Sequence, residues 1–99
     1  MDENVEVRQV AERHRFEIDV DAKRVGLSTY RDDGGVRTFI HTEINPDHEG
    51  RGLAGRLIRT ALDETRGAGL LVVPQCPYVK TFIERHQEYA DLVADEATP

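Results

Sequence analysis

Residues 45–62, NPDHEGRGLAGRLIRTAL, place three glycines, Gly50, Gly52 and Gly55, between an extended segment and an amphipathic helix. Glycine inside a helix costs roughly 0.5–1 kcal/mol relative to alanine. Three glycines in six residues, beside Arg51, Arg56 and Arg59, need a compensating reason. The segment before them, VRTFIHTEI, is apolar on both faces and stops at Pro46, as a central strand would. After them, Leu53, Leu57, Ile58, Ala61 and Leu62 recur at helical spacing, and GAG at 67–69 ends the helix. LLVV at 70–73 then reads as a short strand covered on both faces. Strand, glycine turn, helix and strand make a βαβ unit, which requires a parallel pair and a right-handed crossover.

The rest of the chain must pair with that unit. HRFEIDV alternates Phe16, Ile18 and Val20 against Glu17 and Asp19, a half-buried strand. VDAKR is a tight connection, and RVGLSTY follows with Val25, Leu27 and Thr29 on one side. RDDGG closes a hairpin, because Asp-Gly-Gly accepts positive φ. In the strand at 36–44, strict alternation puts Phe39, His41 and Glu43 on one face and Thr38, Ile40, Thr42 and Ile44 on the other. Val5, Val7 and Val10 fit either an edge strand or coil. Cys76 precedes Pro77, and proline is favoured at the first helical position, so Cys76 falls at the N-cap of a last helix. That helix carries Val79, Phe82, Ile83 and His86 on one face. The expected order is β-β-β-α-β-α: an α+β fold with one mixed, mainly antiparallel sheet and helices packed on it. A chain of 99 residues is expected to form one domain, with 1–10 and 94–99 as flexible ends.

Composition narrows the function. A net charge of −6 argues against nucleic acid as a main partner. No stretch approaches the roughly 20 apolar residues of a membrane span, and the start lacks a signal-peptide pattern. One cysteine forms no intrachain disulfide, which fits a reducing, cytoplasmic setting. No pair of Cys or His residues has zinc-like spacing, so no metal is expected.

The glycine turn itself has two readings. One is a packing device that lets helix and sheet approach. The other is an anion site: unpaired N–H groups and the helix dipole meet at a helix N-terminus, and glycine lets a phosphate come close. The spacing is neither that of a dinucleotide turn nor that of a P-loop.

INPDHEGRGLAGRL resembles the acetyl-CoA-binding motif of the GNAT (GCN5-related) N-acetyltransferases, (Gln/Arg)-x-x-Gly-x-(Gly/Ala). Here it runs Glu49, Gly50, Arg51, Gly52, Leu53, Ala54, with Glu49 standing where the family prefers Gln or Arg. FIHTEI before it and VVPQCPYVKTFIERHQEY after it extend the resemblance over residues 16–93, to a compact YjdJ-type GNAT-like domain. The resemblance implies acetyl-CoA as donor substrate, held by Gly50, Arg51, Gly52, Leu53, Ala54, Gly55 and Arg56, with the pantetheine along Ile44. It implies an amine acceptor, a small molecule or a protein lysine. It also implies that the two helices walling the acceptor side in larger members are missing, so a monomer or a homodimer is open.

The family's usual tyrosine aligns with Ile83. The candidates for the leaving thiolate's proton are then Cys76 and Tyr78. Cys76 at an N-cap favours its thiolate and could also accept the acetyl group; it is equally read as a small buried hydrophobe. His41 is a candidate base or a partner for Cys76, against a reading as a hydrogen-bonded structural histidine. Glu43 is a lesser base, His48 a loop residue near the phosphates, and His86 a packing residue. The resulting expectation is a small N-acetyltransferase. Its rivals are a CoA-binding module with little catalysis, and an interaction domain that kept only the fold.

Overall fold

The computed structural model describes residues 3–94. Five strands lie in the order of the chain: β1 (Val5–Val10), β2 (Arg15–Val20), β3 (Lys23–Asp33), β4 (Val36–Ile44) and β5 (Leu71–Pro74). β1 to β4 pair antiparallel, and β4 pairs with β5 in parallel. Helix α1 (Leu53–Gly67) makes the connection between that parallel pair, and α2 (Pro77–Arg85) follows β5. Val5, Val7 and Val10 therefore belong to an edge strand, which adds one strand to the order expected from sequence. Their weak pattern follows from their position: β1 gives only partial cover to Val5 and Val7 and leaves Glu6, Arg8 and Gln9 exposed.

Both helices lie side by side on one face. Leu53, Leu57, Ile58, Ala61 and Leu62 of α1 are buried, as are Val79, Phe82 and Ile83 of α2. They close over Phe16, Ile18, Phe39 and Val72, each fully buried. Burial of this kind contributes about 1.5–3 kcal/mol per large apolar side chain. The opposite face is not a second core. Leu71 stays 44% exposed there, so β5 is covered on one face rather than two.

Two β-bulges correct the alternation drawn from sequence. In β3, Ile18 pairs with Gly26 and Asp19 with Arg24, which leaves Val25 unpaired and turns it into the core. In β4, Thr29 pairs with His41 and Tyr30 with Phe39, which leaves Ile40 unpaired and 42% exposed. An inserted residue shifts the facing of everything beyond it. Phe39 and Thr42 thus share the helix face, while His41 and Glu43 point away and hydrogen-bond each other at 2.9 Å. Phe39 does not share a face with His41 and Glu43.

On the helix-free face, Glu17 and Asp19 are buried under arginines. Arg8 reaches Glu17 at 2.6 Å and Asp19 at 3.0 Å, and Arg15 reaches Glu17 at 2.7 Å. Arg24 adds a longer contact at 3.6 Å. Burial pushes the Glu17 carboxyl up, but Arg15, Arg8 and Arg24 together outweigh it and hold it below the usual range. At the far hairpin, Arg37 is 5% exposed, grips Asp32 through Nε and Nη2 at 2.8 and 2.9 Å, and lies 4.1 Å over the Tyr30 ring. Among the described residues no helix is long and apolar enough to cross a membrane.

Candidate active site

The parallel pair ends at Phe39 and Pro74. One further bond, from Cys76 N–H to the Phe39 carbonyl at 2.9 Å, ties α2 to β4, while β4 runs on to Ile44 paired only with β3. A crevice opens where the two strands part. Ligands of open α/β sheets bind at such carboxyl ends.

The glycine turn forms one wall. Asn45 Oδ1 accepts from Asp47 N–H at 2.9 Å and starts a short 3-10 turn at Pro46–His48. Gly50 and Gly52 then take φ of +79° and +75°, a region that costs other residues about 1–2 kcal/mol. Gly52 is the N-cap of α1, and no side chain caps it. Its carbonyl accepts from Arg56 N–H at 3.2 Å, but the N–H groups of residues 53–55 have no partner among the described residues. Between this turn and the end of β4 lies a cleft of about 540 Å³ lined by Thr42, Ile44, Gly50, Gly52, Gly55 and Tyr78, among others. A second cleft of about 370 Å³ runs on between α1 and α2, lined by Arg56, Arg59, Tyr78, Phe82, Arg85 and His86 together with Gly52, Gly55 and Thr81.

The residues named from sequence divide among these places. Ile44, Gly50, Gly52, Leu53, Ala54 and Gly55 all border the first cleft. Arg56 borders the second. Arg51 turns away from both: it hydrogen-bonds His48 Nδ1 at 3.0 Å and pairs with Glu3, so it braces the turn. Tyr78 is 43% exposed and stands between the clefts, its hydroxyl close over Gly55. Cys76 is the N-cap of α2 and only 3% exposed; its thiol donates to Thr42 Oγ1 at 3.4 Å. Thr42 shares a 2.9 Å hydrogen bond with buried Ser28. His41 is exposed on the other face of β4, so it contacts Glu43 and not Cys76. His86 stacks on Phe82 with centroids 4.0 Å apart.

Sequence reasoning counted Arg59 in the basic cluster without assigning it to a site, and passed over Thr42 and Arg85 as site residues. Thr42 was hidden by the bulge, which brings it to the cleft side. Arg59 follows Arg56 by three residues, the spacing of neighbours on one helix face, so its placement was readable. Arg85 joins them only through the packing of α2 beside α1. Ile83, where the tyrosine of the resembled family aligns, is buried at 5% exposure. Among the described residues no cluster of three or more His, Cys, Asp or Glu side chains could hold a metal ion.

A solved structure of a GCN5-like candidate N-acetyltransferase from Staphylococcus aureus superposes with a TM-score of 0.71 at 24% identity, over 92% of this chain and 89% of that one. A ribosomal-protein-alanine N-acetyltransferase from Brucella melitensis biovar Abortus 2308 matches with a TM-score of 0.59 at 22% identity, over 81% of this chain and 60% of its own. The ribosomal-protein-alanine N-acetyltransferase of Escherichia coli gives 0.63 at 16%, over 73% and 50%. The chain thus spans less than two thirds of the two ribosomal-protein enzymes. These likenesses establish the fold. The family model for GCN5-related N-acetyltransferases matches residues 15–92, which takes in the sheet from β2 onward, both clefts and the glycine turn. The chain belongs to the GCN5-related N-acetyltransferases.

Proposed function

We propose that this chain binds acetyl-CoA at the glycine turn and transfers the acetyl group to an amine. The observation that carries the reading is the row of unpartnered N–H groups at residues 53–55, at the mouth of the first cleft. They meet a pyrophosphate as the start of α1 would meet any anion, with the helix dipole behind them. The pantetheine then runs along Ile44, on the stretch of β4 that extends past β5, which delivers the thioester toward Thr42.

Direct transfer needs a neutral amine to attack the thioester carbonyl, a donor for the oxyanion, and a proton for the departing thiolate. A backbone N–H near the bulge of β4 serves the oxyanion. The proton comes from Cys76, whose thiol sits behind Thr42, or from the exposed Tyr78. Cys76 can also take the acetyl group by thioester exchange: its sulfur forms the new bond, its proton passes to the CoA sulfur, and the acetyl group moves on to the amine. His41, paired with Glu43 on the helix-free face, takes the ammonium proton of an acceptor that approaches from that side.

A second reading, a CoA-binding module with little turnover, has its own support. Cys76 is buried and engaged, and no tyrosine occupies the position of Ile83. Intact and peptide masses after incubation with acetyl-CoA separate the readings. An adduct on Cys76 that is absent in Cys76→Ala establishes the two-step route. Stabilisation by acetyl-CoA without an adduct leaves direct transfer or the binding module, and an amine screen then decides between them. Neither adduct nor stabilisation overturns the acetyl-CoA assignment.

A further inference from the structure

We infer that the Thr42 hydroxyl carries the proton of Cys76 to the departing CoA sulfur, and that buried Ser28 holds that hydroxyl in place. This rests on the reading of the first cleft as the acetyl-CoA site.

Cys76 does not reach the cleft directly. It is 3% exposed and borders neither cleft, whereas Thr42 borders the first. Two hydrogen bonds fix Cys76 to β4: its N–H donates to the Phe39 carbonyl at 2.9 Å, and its thiol donates to Thr42 Oγ1 at 3.4 Å. The thiol has no other hydrogen-bond partner among the described residues. Behind Thr42, Ser28 Oγ lies 2.9 Å from Thr42 Oγ1, and the two residues face each other across β3 and β4. Ser28 is fully buried, on a face otherwise given to Phe16, Ile18, Phe39 and Val72. Hydroxyls in such surroundings are costly unless hydrogen-bonded, and a Ser–Thr pair meets that need by itself. The sulfur is a third member, brought to the pair from 34 residues further along the chain.

The row can reverse its direction by rotating hydroxyl groups alone. A threonine hydroxyl has one hydrogen to donate and two lone pairs that accept. When a CoA thiolate forms in the cleft, the Thr42 O–H bond breaks and an S–H bond forms on CoA. At the same time the Cys76 S–H bond breaks and its proton goes to Thr42 Oγ1. The products are a neutral CoA thiol, an intact threonine hydroxyl that now donates to Cys76, and a Cys76 thiolate. The start of α2, where Cys76 is the N-cap, favours negative charge on that sulfur. The proton released by the attacking amine then restores the thiol. Where Cys76 instead attacks the thioester itself, the same two transfers bring its proton to the leaving CoA sulfur. One hydroxyl serves both routes.

The test compares wild type with Thr42→Val, which keeps the branched shape and loses the hydroxyl, and with Thr42→Ser, Cys76→Ala and the Thr42→Val/Cys76→Ala double variant. CoA release from acetyl-CoA is followed with hydroxylamine as a small neutral acceptor, and acetyl-CoA binding by calorimetry. Thr42→Val and Cys76→Ala should each lower kcat by roughly tenfold or more, as loss of a positioned proton donor does, with acetyl-CoA affinity within about twofold of wild type. Thr42→Ser should stay within roughly threefold of wild type, and the double variant should fall no further than either single one, because the two groups act as a unit. The chain has one cysteine, so the Raman S–H stretching band belongs to Cys76. That band should move to higher wavenumber in Thr42→Val and stay in place in Thr42→Ser. Thr42→Ala replaces Thr42→Val if melting curves show the latter unfolded. A full rate in Thr42→Val, losses that multiply in the double variant, or an unmoved band overturns the relay. Acetyl-CoA that binds without any CoA release also overturns it and leaves the donor site standing. No binding of acetyl-CoA removes the donor site, and this inference with it.

Discussion

Arginine is used in two opposite ways in this fold. Around β1 to β3, Arg8, Arg15 and Arg24 converge on Glu17 from three directions, and Arg37 locks the β3–β4 hairpin through Asp32. Around the start of α1, Arg56 and Arg85 face a cleft with no carboxylate in its lining, beside N–H groups that also lack partners. At the first end, charge is neutralised inside the protein and contributes to the fold. At the second, positive potential is left uncompensated. The contrast gives a rule for reading the molecule: substitutions at the paired end should change stability and spare ligand binding, and those at the unpaired end should do the reverse.

The largest effect belongs to the unpaired end. Gly52→Asp puts a carboxylate where a phosphate should sit and forces a side chain into φ +75°. CoA affinity should fall by roughly 100-fold or more, about 2.7 kcal/mol, as read by calorimetry. Nothing lies within 4 Å of an added Cβ there, so the fold should lose only about 1–2 kcal/mol from backbone strain. Retained affinity would show that the amides of α1 do not hold the ligand.

At the paired end, Glu17→Ala leaves three guanidinium groups without their shared partner. The Glu17 side chain is only 6% exposed, while Arg8 and Arg24 are close to half exposed, so water compensates in part. Unfolding free energy should fall by about 2 kcal/mol, less than for a fully buried pair, with CoA affinity per folded molecule within about twofold. A large loss of affinity without a loss of stability would break the division between the two ends.

Gly26→Ala joins the two regions. A Cβ at Gly26 would sit 2.5 Å from Ile44 Cδ1 and 2.8 Å from the Glu43 carbonyl oxygen. The Ile44 side chain can move, but the carbonyl moves only with β4, and Ile44 borders the first cleft. A loss of about 1–3 kcal/mol in stability is expected, accompanied by several-fold weaker CoA binding. Stability lost with binding untouched would detach Ile44 from the ligand.

Much of this architecture was legible in the residues. The period of Leu53, Leu57, Ile58, Ala61 and Leu62 defines α1, and the glycines before it define the turn, because both signals are local. What failed was alternation across a bulge. Nothing around Val25 or Ile40 announces an extra residue, since bulges arise from how neighbouring strands pair and not from the bulged sequence alone. That one-residue slip in β4 moved Thr42 to the cleft side and separated His41 from Cys76. The second cleft was illegible for a related reason. Arg85 shares a cleft with Arg56 only because α2 lies beside α1, two segments well apart in the chain.

The smallest effect is a pH dependence, and its sign follows from the paired end. Arg15, Arg8 and Arg24 hold the Glu17 carboxyl below the usual range against the opposing effect of burial, and hydrogen bonds from Arg37 do the same for Asp32. Folded protein therefore binds fewer protons than unfolded protein as pH falls through the ordinary carboxylate values, near 3.9 for Asp and 4.3 for Glu. The stability from these two groups is fully present above those values. It declines as pH drops toward the lowered folded-state values and is gone below them. Urea unfolding between pH 7 and pH 3 should show a flat upper range and a falling acid limb, and Glu17→Gln and Asp32→Asn should each make that limb shallower. Neither substitution should alter CoA affinity at pH 7, because neither carboxylate lines either cleft. An acid limb as steep in both variants as in wild type would mean that the arginines of the paired end do not stabilise the fold through these carboxylates.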